Sequence, residues 1–139
     1  MMKYNEQISI SRGKKGETIK DITNQFPYWF CKNYQKYVNN EEKMPFDQHF
    51  LLAAIAPRSA YVSSAKEDDW ADPESEFLSC VAASKVYKFL DLKGLVNDDK
   101  FPEAGTTLQE GNIGYHIRKG THFLSRYDWQ RFIEYMNDM

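Results

Sequence analysis

Two short apolar stretches read as strands: residues 59–65, around Ala60-Tyr61-Val62, and residues 113–117, Ile113-Gly114-Tyr115-His116-Ile117. A helix-patterned segment lies between them. Strand, helix, strand makes the two strands parallel neighbours, because a parallel pair needs a long crossover. Parallel sheets are covered by helices on their faces, and a sheet of two strands does not stand alone. The chain is 139 residues long. That length with so few strands predicts part of an α/β domain, helix-rich, rather than a whole one.

The helices come from spacing and punctuation. Ile19, Ile22 and Phe26 give weak helical spacing over residues 17–26. Phe26, Trp29, Phe30, Tyr34, Tyr37 and Val38 recur at three- and four-residue steps, which predicts a helix over residues 27–38 with Pro27 in its first turn. A second helix should open at Pro45, carry Phe46, His49, Phe50, Leu51, Ala54 and Ile55, and end at Pro57. Asp72 as N-cap and Pro73 as first helical residue start a third, with Glu74 and Glu76 at its positive end. It should run to about Leu92, stop near Gly94, and turn Phe77, Val81, Val86, Tyr87 and Leu90 inward. Ser125 and Asp128 form a capping box for a terminal helix that buries Trp129, Phe132, Ile133 and Met136.

Composition narrows the function classes. Eighteen basic and 20 acidic side chains leave a net charge of -2, which argues against a protein built to grip nucleic acid. The longest apolar run is residues 50–56, far below the ~20 residues of a membrane span. Residues 1–7 are polar where a secretory leader would be apolar. Cys31 and Cys80 are too few for a metal cluster or a disulfide framework, and both are read as buried core thiols. His49, His116 and His122 lack paired spacing, so no metal site is expected. His49 reads as a packing histidine on a helix, and His116 as a half-buried strand residue. No cofactor is expected.

Functional groups of open α/β sheets gather beyond the carboxyl ends of the strands. Asp68 lies just past the first strand and His122 just past the second. Together they are two members of a Ser-His-acid triad, in the chain order used by α/β-hydrolases. Trp70 sits in the same acidic loop, off any apolar stripe, where its ring could stack on a sugar. The nucleophile is missing from the pattern. No serine lies in G-x-S-x-G, and the ten residues before Ser11 are too polar to be the buried strand that a nucleophile elbow requires.

At these residues the chain resembles the C-terminal part of the glucuronoyl esterases, carbohydrate esterase family 15, often labelled acetyl xylan esterase. The matching stretches are Ser11-Arg12-Gly13-Lys14-Lys15-Gly16-Glu17-Thr18, Phe26-Pro27-Tyr28-Trp29-Phe30, Pro45-Phe46-Asp47-Gln48-His49, Ile55-Ala56-Pro57-Arg58, Asp68-Asp69-Trp70-Ala71-Asp72-Pro73, and Ile113-Gly114-Tyr115-His116-Ile117-Arg118-Lys119-Gly120-Thr121-His122. They follow the family's order across residues 9–139. The resemblance implies an α/β-hydrolase fold of which this chain holds the last two parallel strands with their surrounding helices. It implies cleavage of the ester between glucuronic acid of xylan and lignin alcohols, usually by secreted proteins. His122 matches the triad histidine, Asp68 the acid after the penultimate strand, and Trp70 an aromatic of the sugar pocket.

The chain departs from the family in three places. The family's nucleophile turn, G-C-S-R-x-G-K, is absent; Ser11-Arg12-Gly13-Lys14 imitates it but aligns with a later segment. The second acid after the nucleophile has no convincing counterpart, Glu6 included. Where the family often has Asp after the histidine, this chain has Phe123. The expected organisation is a poorly anchored segment over residues 1–16 and a hydrolase-like portion over residues 17–139. The expected function is that of a fragment or truncated relative of a 4-O-methyl-glucuronoyl methylesterase-like carboxylic ester hydrolase, with a glucuronoxylan-type ester as substrate and the missing N-terminal half of the domain as partner. The alternative is a non-catalytic carbohydrate-binding or interaction module.

Overall fold

The computed structural model describes residues 16–138. The expectations for Glu6, Ser11 and all of residues 1–16 but Gly16 therefore lie outside the described residues. Strand β1 (Ala60–Ala65) and strand β3 (Ile113–Arg118) pair in parallel, with Ala60 opposite Ile113 and Ala65 opposite Arg118. A third strand, β2 (Thr107–Leu108), pairs antiparallel to β3 and gives the order β1-β3-β2. It was not anticipated, because two residues inside a loop rich in Gly and Pro carry no periodicity.

Strand β3 is central, and all six of its residues are buried. Neither face of this strand is open to solvent. Helix α3 (Pro73–Phe89) covers one face, where Phe77, Cys80, Ala83 and Tyr87 meet Ile113, Tyr115 and Ile117. Helix α4 (Arg126–Asn137) covers the other, through Phe132 and Tyr135 against Tyr61 and through Asp128 against His116. Gly114 is required between them: a Cβ there would stand 2.4 Å from the Tyr61 ring. Helix α2 (Gln48–Ile55) lies against α3, with Leu52 and Ala53 packed on the core.

Caps set the helix ends. Asp72 accepts from the Ser75 backbone with Pro73 in the first turn, as the sequence implies. Ser125 and Asp128 cap α4 reciprocally. Helix α2 starts after the N-cap Asp47, two residues beyond Pro45. The helix expected over residues 27–38 does not form. The α-helix of that region is α1 (Ile19–Gln25), started by a capping box of Thr18 and Asp21, and Phe26 ends it. Residues 27–38 are turns and one 3₁₀ turn (Tyr34–Tyr37). Their aromatic spacing reflects local stacking, Phe26 on Trp29 at 4.0 Å and Phe30 on Tyr34 at 4.6 Å.

The inward faces also differ from expectation. Along α3 and its C-cap, Val86 and Leu90 are exposed, while Cys80 and Ala83 are buried, because small side chains let the helix lie close to the sheet. In α4, Trp129, Ile133 and Met136 are exposed, and Asp128 and Tyr135 are buried instead. Cys31 lies exposed in the turns, whereas Cys80 is a core thiol as expected.

Candidate active site

Parallel pairing brings the ends of β1 and β3 out on one edge. Just beyond the ladder, the Lys66 N–H donates to the Arg118 carbonyl at 2.8 Å and the Glu67 N–H to the Gly120 carbonyl at 3.1 Å. The Gly120 N–H donates to the Glu67 carboxylate in return. Gly120 turns the chain with φ at 103°, a conformation that favours glycine. Asp68 follows in a tight turn, its N–H donating to Ala65 and its carbonyl accepting from Ala71.

These two loops bring His122 and Asp68 together. Nδ1 of His122 lies 2.7 Å from Oδ2 of Asp68. The Asp68 side chain is 10% exposed and the His122 ring 82% exposed. A carboxylate on Nδ1 favours the Nδ1–H tautomer and leaves Nε2 as the nitrogen that can take a proton. The pair therefore has the chemistry of an oriented general base.

Behind the pair stands Glu76, partly buried on the first turn of α3, whose Oε2 accepts from the Ser64 hydroxyl at 2.6 Å. Burial pushes the Glu76 carboxyl up, the Ser64 hydrogen bond opposes this, and the nearby Asp68 and Asp72 charges add to it. Read from sequence, Glu76 is only a helix-dipole residue. Its position four residues after the cap Asp72 was the available signal that it returns to the same face.

Trp70 is 54% exposed and borders a cavity of about 520 Å³ between α1, α2 and α3. Asp72, Glu76, Ile22, Leu52 and Asp47 also line this cavity, and the Trp70 carbonyl is tied to the Glu17 N–H at 2.8 Å. Asp68 and His122 do not line it; the loop from Asp68 to Asp72 connects pair and cavity.

His116 is fully buried rather than half-buried. Its Nε2 lies 2.8 Å from Asp128 and its Nδ1 3.0 Å from the Tyr61 hydroxyl. His49 packs on Phe50 in α2, 4.5 Å between ring centres. Among the described residues no group of three or more His, Cys, Asp or Glu is placed to hold a metal, and no helix is long and apolar enough to cross a membrane.

Known proteins resemble most of this chain. The family model "Glucuronyl esterase, fungi" matches residues 2–91, a span that contains Asp68 and Trp70. A carbohydrate esterase of an unknown prokaryotic organism is 43% identical over 127 residues, covering 91% of this chain and 29% of that protein. A 4-O-methyl-glucuronoyl methylesterase of Podospora anserina is 33% identical over 86 residues, covering 60% of this chain and 18% of that protein. The solved structure of a promiscuous CE15 esterase from a marine bacterial metagenome superposes with a TM-score of 0.85 at 42% identity, over 91% of this chain and 32% of that one. A glucuronoyl esterase from Solibacter usitatus gives 0.76 at 39% identity, over 84% and 29%. The α/β-hydrolase part expected from the sequence is thus the fold of these neighbours. The chain spans less than a third of the length of each of these relatives.

Proposed function

This chain belongs to the glucuronyl esterase family, and on that premise we propose that it supplies the acid and the histidine of a serine ester hydrolase acting on glucuronoyl esters of xylan. The observation that carries the proposal is the 2.7 Å contact between His122 Nδ1 and Asp68 Oδ2 at the ends of adjacent parallel strands. Asp68 holds the imidazole with Nε2 outward. Nε2 takes the proton of a serine hydroxyl as that oxygen attacks the ester carbonyl, and Asp68 stabilises the resulting imidazolium. The imidazolium then gives its proton to the departing alcohol. A water, deprotonated by the same nitrogen, releases the glucuronic acid from the serine. Trp70 contributes a half-exposed ring against which the sugar can lie.

The serine and the donors that stabilise the oxyanion belong, in this proposal, to a complementary stretch carrying the G-C-S-R-x-G-K turn. No such turn occurs in the 139 residues. The test uses a benzyl glucuronate ester, with this chain alone and with this chain grafted in place of the matched segment of the prokaryotic carbohydrate esterase. The graft should turn over the ester, and His122→Ala should lower its rate on the order of 10⁴-fold or more. The chain alone should show no turnover. Turnover by the chain alone that disappears in Ser11→Ala would put the nucleophile at Ser11 and overturn this division of labour. A graft whose rate ignores His122→Ala would overturn the role of the histidine.

A further inference from the structure

We propose that Arg118 is the positioning residue of the histidine-bearing loop: its guanidinium grips the loop backbone on both sides of His122 and so sets the ring against Asp68. The inference rests on the histidine–acid reading above.

Arg118 is the last residue of β3, and its side chain is 9% exposed. Nε donates to both oxygens of Asp128, at 2.9 and 3.1 Å. Nη1 donates to the Lys119 carbonyl at 2.9 Å. Nη2 donates to the Thr121 carbonyl at 3.2 Å and to the Phe123 carbonyl. One rigid, planar group thus fixes three carbonyls of the loop relative to a helix residue, and two of the three belong to the neighbours of His122. A guanidinium presents its five N–H donors in a fixed fork, which an ammonium on a flexible stem cannot do.

The anchor of the fork is itself fixed. Besides Arg118, Asp128 accepts from the Ser125 N–H and hydroxyl, each at 2.6 Å, and from His116 at 2.8 Å. His116 in turn meets the Tyr61 hydroxyl on β1. The network therefore joins β1, β3 and α4 to the loop. Phe123 completes it: the ring lies over the guanidinium, 4.2 Å from Cζ to centroid, an attraction between cation and ring face. This gives a physical reason for a phenyl ring directly after the histidine. His122 itself is 82% exposed and has little packing to orient it, so the loop backbone decides where the ring stands.

The test is ¹⁵N NMR of the 139-residue chain, wild type and Arg118→Lys. In the wild type, the neutral His122 ring should be the Nδ1–H tautomer, and the Arg118 Nη protons should give separate, slowly exchanging signals. Arg118→Lys keeps a positive charge beside Asp128 but has no fork. With dispersed core methyl signals showing the fold intact, the Nδ1–H form of His122 should be lost in favour of the Nε2–H form that an unconstrained histidine side chain prefers. An unchanged tautomer in a folded Arg118→Lys variant would overturn the proposal. So would averaged Nη protons in the wild type, a readout that stands if the variant does not fold. A wild-type His122 lacking the Nδ1–H form, with resolved Arg118 signals, would overturn the histidine–acid pairing itself and the proposal with it.

Discussion

His122 and Asp68 are 54 positions apart and meet at 2.7 Å, yet one is almost wholly exposed and the other almost wholly covered. The asymmetry divides the labour between them. The buried acid is held by the turn after β1 and needs no reorganisation to accept Nδ1–H. The exposed ring offers Nε2 to whatever docks on this edge of the sheet. Burial pushes the Glu76 carboxyl up, and the Asp68 charge nearby adds to that push.

The network under the loop should be visible in the acid limb of stability. Burial works to raise the Asp128 carboxyl, but hydrogen bonds from Ser125, His116 and Arg118 outweigh it and hold the group at about 2. A depressed carboxylate stabilises the fold above its unfolded value, about 4, and this is lost as pH falls through the folded value. The difference amounts to about 2 kcal/mol. Urea unfolding at a series of pH values should show that much stabilisation between pH 2 and 5 from this group. Asp128→Asn should flatten this part of the profile and lower stability at pH 7. An unchanged acid limb in the variant would contradict the role given to Asp128.

Asp47 should act with the opposite sign. Its carboxyl is buried at the start of α2, and its Oδ2 has no hydrogen-bond partner among the described residues. Burial pushes it up to about 6, against the hydrogen bond from the Gln48 N–H. A raised carboxyl contributes stability that is fully present below about pH 4 and lost as pH rises through the folded value. Asparagine keeps the cap and removes the charge. Asp47→Asn should therefore leave stability at pH 4 nearly unchanged and raise it by about 3 kcal/mol at pH 8. Equal midpoints for wild type and variant at pH 8 would contradict this account.

What the sequence made legible depends on where local signals and tertiary ones agree. Strand β1, strand β3 and helix α3 were readable because apolar runs and the Asp72-Pro73 start are local. The edge shared by Asp68 and His122 followed from parallel pairing alone. The aromatic run at residues 27–38 misled, since three- and four-residue spacing also arises when neighbouring rings stack within turns. The Thr18 and Asp21 capping box was the better signal there. The exposed stripe of Trp129, Ile133 and Met136 shows that an apolar face need not be buried within the described residues. The Arg118 fork could not be seen at all, because its partners in the histidine loop are backbone carbonyls and carry no residue signature.

Trp70 should matter for binding and not for folding. With 54% of the residue exposed, Trp70→Ala should change stability by less than about 1 kcal/mol in thermal unfolding. In the grafted esterase it should raise KM for the glucuronate ester roughly five- to thirty-fold, about 1–2 kcal/mol, with little change in kcat. An unaltered KM would remove the ring from the sugar site.

Groups that act as one catalytic unit are strongly non-additive, so the most direct measurement is a double-mutant cycle on Asp68 and His122 in the grafted esterase. Asp68→Asn alone should lower kcat for the benzyl glucuronate ester by roughly 10³- to 10⁴-fold, since the amide no longer enforces the Nδ1–H tautomer. His122→Ala should lower it at least as far. The account predicts that the double variant is no slower than His122→Ala alone. Losses that multiply in the double variant, or a full rate in Asp68→Asn, would contradict the claim that these two residues work as one base.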